Sequence, residues 1–368
     1  MPEASRATLP PWTVGVPVVA VLLVPLLWGR ELGPVLVVVG AALLAGAVLA
    51  AVHPAEVVAH RVGEPFGSLL LAVAVTVIEV GLIVTLMLSG GAGTETLARD
   101  TVFAAVMITC NGIVGLSLLL GALRHRLVSF NPEGSGAALA TVITLATLTL
   151  VFPTFTTSRP GPEFSPAQLT FAAVASLALY VMFVLTLTVR HRDFFLPVPV
   201  DDSDSEIDPE AHAAPPTSRA TLASLVLLLA SLFAVVGLAK LESHAIESGV
   251  AAAGFPQSFV GVVIALLVLM PETLSAVRSA RRNRVQVSLN LAFGSAMASI
   301  GLTIPAIAVA SIWLDGRLVL GLGSTQMILL ALTVVVGVLT VVPGRATRLQ
   351  GGVHLVVLAA FLFLAVAP

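Results

Sequence analysis

Apolar runs of 17 or more residues follow one another along the chain, separated by short polar or turn-forming stretches. A helix rising 1.5 Å per residue needs about 20 such residues to cross a hydrocarbon layer about 30 Å thick. The pattern therefore predicts eleven membrane spans, near 11–28, 34–52, 66–89, 101–123, 136–152, 166–189, 219–239, 257–277, 286–312, 324–343 and 351–367. Turn chemistry falls between them: Gly90-Gly91, Asn131-Pro132, Arg159-Pro160-Gly161, Asp315-Gly316 and Pro343-Gly344. The first run, Trp12 to Trp28, reads as a retained span with aromatic residues at both ends. Only Arg6 stands against Glu3 ahead of it, and no convincing cleavage site follows.

Composition supports the pattern. The chain is 57% hydrophobic and 10% charged, where a soluble protein carries about 25% charged residues. This is an all-α polytopic membrane protein whose environment is the lipid bilayer. No basic patch with interleaved aromatics points to nucleic acid. The single cysteine, Cys110, excludes an internal disulfide and any CxxC site. The spans place 13 of the 18 Lys and Arg residues on the N-terminal side and 5 (Arg30, Arg99, Arg159, Lys240, Arg317) on the other. The positive-inside rule then puts the N-terminus in the cytoplasm and the C-terminus outside.

Charge inside the spans is the informative exception. Glu79 and Glu272 are the acids that fall in the middle of predicted spans, each thirteen residues after a phenylalanine, Phe66 and Phe259. An ionised side chain at mid-bilayer costs about 2.5–3.5 kcal/mol on insertion scales, so two of them mark a cation or proton pathway by default. The polar stretch 190–218 separates two halves of five spans. Both halves carry an acid in one span and Asn-x-x-x-Gly in the next: Glu79 with Asn111 to Gly115, and Glu272 with Asn290 to Gly294. An odd number of spans per half inserts the second copy upside down. The expected architecture is eleven transmembrane helices: an extra N-terminal helix (1–30), a first five-helix repeat (31–189), an acidic cytoplasmic linker (190–218) and a second, inverted repeat (219–368). Inverted repeats that meet at a midplane ion site are a recurring transporter plan.

These residues resemble the cation/calcium exchanger superfamily, and within it the bacterial ChaA-type calcium(sodium)/proton antiporters. The resemblance runs through HRVGEPFGSLLLAVAVTVIEVGLI, RDTVFAAVMITCNGIVGLSLLLG, LLVLMPETLSAVRSARRNRVQVSLNLAFGSAMASIGLTIP and the acidic DDSDSEIDPE segment. It implies that Glu79 and Glu272 bind the transported cation and exchange it for protons. Vacuolar relatives carry Gly-Asn-Ala before their acids. Here Thr76-Val77-Ile78 and Leu269-Met270-Pro271 stand there instead, which leaves Na+ or K+ beside Ca2+ as the transported ion.

Calcium takes six to eight oxygens at about 2.3–2.6 Å, and two carboxylates supply at most four. Asn111 and Asn290 are candidate amide ligands. Thr76, Ser275, Ser295 and Ser299 are candidate hydroxyls. Pro271, lacking an N–H, frees carbonyls near Leu267 and Val268. Metal cations and protons are thus the expected partners. No cofactor is implied beyond the transported Ca2+ or Na+ and H+, and the oligomeric state is left open. Gly81, Gly112, Gly115 and Gly301 read as packing residues, with Gly294 the exception beside Asn290. Gln286 is placed near the cytoplasmic mouth. The acidic run from Asp201 to Glu210 reads as a solvated linker, with cation collection as its sharper alternative. His53, His60, His125, His191, His244 and His354 are expected at span ends or loops. The competing classes are a sodium/calcium exchanger without proton coupling, a cation channel and, with no H-E-x-x-H or other catalytic grouping in a span, an intramembrane enzyme.

Overall fold

The structure, a computed structural model, describes residues 11–30, 33–63, 66–89, 93–198, 216–313 and 316–368. The acidic run 201–210 lies outside them. The chain forms α1 (Pro11–Leu27), α2 (Pro34–Val62), α3 (Phe66–Ser89), α4 (Thr94–His125), α5 (Pro132–Phe155) and α6 (Pro166–Arg190). After the linker come α7 (Ser218–Ala252), the broken α8 (α8a, Phe259–Val268; α8b, Met270–Arg281), α9 (Val285–Ala310), α10 (Ser324–Val341) and α11 (Arg348–Val366). Among the described residues, eight helices are long and apolar enough to cross a membrane, or nine with α8a and α8b as one bent span. Two shorter apolar helices, Pro11–Leu27 and Ala72–Leu88, accompany them. A short antiparallel ladder pairs β1 (Val128–Ser129) with β2 (Arg345–Ala346), in the register Val128 to Ala346.

Local chemistry sets the helix starts. Asn131 accepts from the backbone N–H groups of Glu133 and Gly134 and is followed by Pro132, opening α5. Ser165 with Gln168, and Thr347 with Gln350, form capping boxes for α6 and α11. Proline accounts for the main break: α8 bends by 54° between Val268 and Met270, just before Pro271, which offers no N–H to the carbonyl of Leu267. A π-helical turn, Ile108–Ile113, interrupts α4. A break at Leu302 divides α9 ahead of Pro305.

Apolar residues cover the outside as well as the inside. Phe171, Ile328, Val356 and Phe363 are each exposed on an outer helix face, as expected where lipid is the solvent. Inside, the apolar residues form two clusters. One is built from α1, α2 and α7 with the adjoining faces of α3 and α8a. The other is built mainly from α4, α5, α6, α8b, α9, α10 and α11. Helices α3 and α8 thus lie along the seam between two packed bodies.

Two sequence expectations are corrected. The span predicted at 219–239 continues as helix to Ala252 through Lys240, Glu242, His244 and Glu247, because all are compatible with helix and none stops it. Glu242 is thereby buried within a helix, so Glu79 and Glu272 are not the only acids inside the bundle. His354 is not interfacial: it is 1% exposed, because Gly115 and Gly351 let α4 and α11 cross closely. A Cβ on Gly351 would lie 2.5 Å from the backbone nitrogen of Leu119 and 2.9 Å from the Gly115 carbonyl oxygen. Gly351→Val is expected to destabilise the protein by about 3 kcal/mol, the upper end for overpacking. Gly352→Val, where a Cβ meets nothing within 4 Å, is expected to unfold with the wild type when both are followed by thermal denaturation in detergent.

Candidate cation and proton site

Glu79 lies well inside α3, 2% exposed, on the face that packs against α9. The hydroxyl of Ser299 on α9 donates to its Oε2 at 3.0 Å. Thr303, one turn further along α9, faces the same carboxyl without completing a hydrogen bond. Oε1 is buried and has no partner. Glu272 stands at the second residue after Met270, immediately beyond the bend, so the kink turns its carboxyl away from the line of α8a. The carboxyl folds back toward its own backbone N–H, and its Oε2 is buried without a partner. The two carboxyls are close enough to interact through their charges. The structure thus brings together the two acids singled out by the sequence, from helices far apart in the chain.

A buried carboxylate oxygen without a donor is costly, and two carboxylates within electrostatic reach of each other cannot both stay charged and bare in a poorly solvated interior. The arrangement lacks positive charge, and a proton or a metal cation is what it can accept. Among the described residues, no group of three or more His, Cys, Asp or Glu side chains is placed to hold a metal ion. Further oxygens for a cation would come from hydroxyls and carbonyls. Thr76 is buried one turn before Glu79, and Ser275 is half-buried one turn after Glu272. Ser295 is half-buried one turn before Ser299, beside Gly294, where an added Cβ would meet nothing within 4 Å. The other glycines touch neighbours: Gly81 meets Val236, Gly112 meets Leu358, Gly115 meets His354 and Gly301 meets Tyr180. Packing explains these four and does not explain Gly294.

The two asparagines are engaged elsewhere. Asn111 sits in the π-helical turn of α4, fully buried, and donates from Nδ2 to Thr333 at 2.9 Å on α10. Its Oδ1 lies 3.2 Å from Nδ1 of His354, whose Nε2 lies 3.1 Å from Thr340. Since Nδ2 donates to Thr333, Oδ1 accepts, which puts the imidazole proton on Nδ1 and makes Thr340 the donor to Nε2. Asn290 donates to the carbonyl of Phe195 at 2.7 Å and accepts from Gln286 at 2.8 Å. Gln286 in turn accepts from the backbone N–H of Asn131 at 2.6 Å. Asn290 thus belongs to a junction that docks the short turn Arg192–Phe195 against the start of α9. Nor are the asparagines equivalent in position. Asn111 follows Glu79 by 32 residues, whereas Asn290 follows Glu272 by 18.

Among the buried polar groups that sequence reading did not single out are Asp100, Glu163, Glu242 and His354. Asp100 differs from the two central acids in being fully paired. It accepts from Thr96 and from Nε of Arg99, both at 2.8 Å, and lines with Arg99, Ser258 and Gln326 a cavity of about 290 Å³ near the start of α4. Its adjacency to Arg99 was a signal of pairing rather than of a site.

Residues 32–189 and 223–367 match the family described as sodium/calcium exchanger protein. The chain is 47% identical over 369 residues to the putative ionic transporter y4hA of Sinorhizobium fredii, covering 100% of this chain and 99% of that one. It is 35% identical over 350 residues to the sodium-potassium/proton antiporter ChaA of Escherichia coli, covering 94% and 93%. Its fold is shared with that of native YfkE, with a TM-score of 0.72 at 16% identity over 97% of this chain and 99% of that chain. YfkE is described elsewhere as a Ca2+/H+ antiporter protein. A family match over most of the chain and full-length identity to bacterial transporters lead to one conclusion: this protein is a member of the sodium/calcium exchanger family of membrane cation antiporters.

Proposed function

We propose that the protein exchanges a metal cation, Ca2+ or a monovalent ion such as Na+ or K+, for protons by alternating access, with Glu79 and Glu272 as the shared site. The observation that carries this reading is the pair of buried carboxyls, each with an oxygen that no protein donor satisfies. One occupant, either cation or proton, neutralises the pair. The empty, doubly charged pair is too costly to be carried across, and that exclusion couples the two fluxes. The name of the 35% identical relative supports a monovalent ion, and the name given to YfkE supports calcium. In this reading α1 and α3 also span the membrane, giving eleven spans, and the chain is two inverted five-helix repeats after an extra N-terminal helix. The N-terminus is cytoplasmic, the C-terminus is external, and the membrane is the bacterial inner membrane. The two apolar clusters on either side of α3 and α8 are the bodies that move relative to each other.

Ser299 holds one oxygen of Glu79, Thr76 and Ser275 lie one turn from the acids on their respective helices, and Ser295 lies one turn before Ser299 on α9, so these hydroxyls complete the coordination with carbonyls freed at the bend. Asn111 and Asn290 contribute in this reading only if an occupant draws them from their present partners.

In liposomes containing a pH-sensitive dye, addition of calcium, sodium or potassium is expected to drive proton efflux through the wild type. Glu79→Gln and Glu272→Gln are each expected to abolish it; retained exchange in both would refute the assignment. Ser299→Ala removes a hydrogen bond to a charged group worth about 1.5 kcal/mol, and is expected to raise the cation concentration for half-maximal flux about tenfold. Because protons compete for the site, acidifying the cation-loading side is expected to raise that concentration for the wild type, and a value independent of pH would contradict competition.

A further inference from the structure

Glu242 on α7 is a third buried acid, and the exchange site does not use it. It is 2% exposed, and its Oε1 is buried without a hydrogen-bond partner. The carboxyl rests on Gly40 of α2: a Cβ added to Gly40 would meet Oε1 first, and the carboxyl carbon at 3.0 Å. Glycine at 40 is what allows an acid on α7 to lie against the α2 backbone.

Its place in the bundle separates it from Glu79. Val236 of α7 is level with Gly81 of α3, where the two helices touch. Glu242 lies six residues further along α7, about 9 Å beyond that level, while Glu79 lies on the other side of it. Helix α7 packs against α1, α2, α3 and α8a. Neither α1 nor α8a carries a titratable residue. On α2 the titratable groups are His53, Glu56, His60 and Arg61, at least thirteen residues past Gly40, or about 20 Å along the helix. On α3 there is Glu79. On α7 itself Arg219 is at the far end, Lys240 and His244 are exposed, and Glu247 lies further toward the C-terminal end. The neighbouring Ser243 donates to the carbonyl of Lys240. No cation on a facing helix is therefore placed to balance an ionised Glu242.

We propose that Glu242 is a second proton-binding site, distinct from the Glu79–Glu272 pair, that holds α2 against α7 while protonated and loosens that seam when the proton leaves. An ionised carboxylate there has no donor for Oε1 and no balancing cation on a facing helix, so Oε1 must draw in water, and water reaches that oxygen, which lies against Gly40, only if the two helices part. The proton comes from the membrane face nearer Ala252 and Pro34, which the charge asymmetry puts outside. External alkalinity thus opens the outer half of the α2–α7 contact.

The test uses the full-length protein in lipid nanodiscs and does not depend on transport. Hydrogen exchange at the start of α2 (34–44) and the outer part of α7 (236–248) is compared between wild type and Glu242→Gln at each pH, which cancels the intrinsic pH dependence of exchange. The ratio of wild type to variant is expected to be near unity at mildly acid pH and to rise severalfold at alkaline pH. A ratio that stays flat would overturn the proposal. Gly40→Ala gives an independent arm. Its methyl takes the place of the carboxyl oxygen, so both segments are expected to exchange faster at every pH. Protection unchanged from the wild type would count equally against it. Infrared spectra give the proton directly: a protonated-carboxyl C=O band at neutral pH should lose intensity in Glu242→Gln while persisting when Glu79 and Glu272 are both replaced. No loss in Glu242→Gln would show that this acid is already ionised and would end the proposal.

Discussion

Two carboxyl groups held near each other, away from water and short of donors, are the constraint around which the rest of this protein is arranged. Charge in such a place is tolerated only when something neutralises it. Ser299 satisfies one oxygen of Glu79, and the backbone N–H of Glu272 turns to its own carboxyl, but one oxygen on each acid is left without a partner. A structural ion pair does not look like this. Asp100, in the same chain, shows the alternative, with Arg99, Thr96 and Gln326 gathered round it. Under the proposed exchange mechanism, the unpartnered oxygens of the central acids are what a cation or proton occupies.

The surrounding architecture follows from that need. Pro271 and the 54° bend place Glu272 at the start of a new helical direction, in α8b, which packs against α9. Helix α9 brings Ser299 and Thr303 to the first acid and packs against α8b, which carries the second. Of the five glycines that the sequence reading weighed, Gly81, Gly112, Gly115 and Gly301 have packing neighbours, and Gly294, next to Ser295, has none within 4 Å of an added Cβ. Both acid-bearing helices lie between two apolar clusters. Apolar contacts are nondirectional, so a surface of this kind can slide or tilt at lower cost than one laced with buried hydrogen bonds. Under the proposed exchange mechanism, that seam is where a rocking motion would expose the acids to one side and then the other.

The positions of the helices were legible in the sequence because hydrocarbon imposes length and polarity together: the run at 66–89 and the helix Phe66–Ser89 coincide. The two acids were legible for the same reason, since charge has no other licence in such a run. Glu242 was not, because Lys240 and His244 beside it make the segment look interfacial, and its burial depends on a glycine two hundred residues away. His354 was missed likewise: only the close crossing at Gly115 and Gly351 encloses it. The Asn-x-x-x-Gly echo joined two asparagines with different surroundings, one bonded to Thr333 and His354, the other to Phe195 and Gln286. Four-residue spacings recur readily in helices, and the glycine half of the first motif has a packing cause. Tertiary contacts between distant segments decided each of these cases, and local pattern does not carry them.

Mutual exclusion of cation and proton at one pair of acids is the central claim, and equilibrium binding tests it without any membrane potential or flux. Purified protein in weakly buffered detergent solution is titrated with calcium, sodium or potassium, and the protons released per cation bound are counted with a pH indicator. The account predicts stoichiometric release by the wild type and none when Glu79 and Glu272 are both replaced by glutamine. Cation binding by the wild type with no proton release would contradict it.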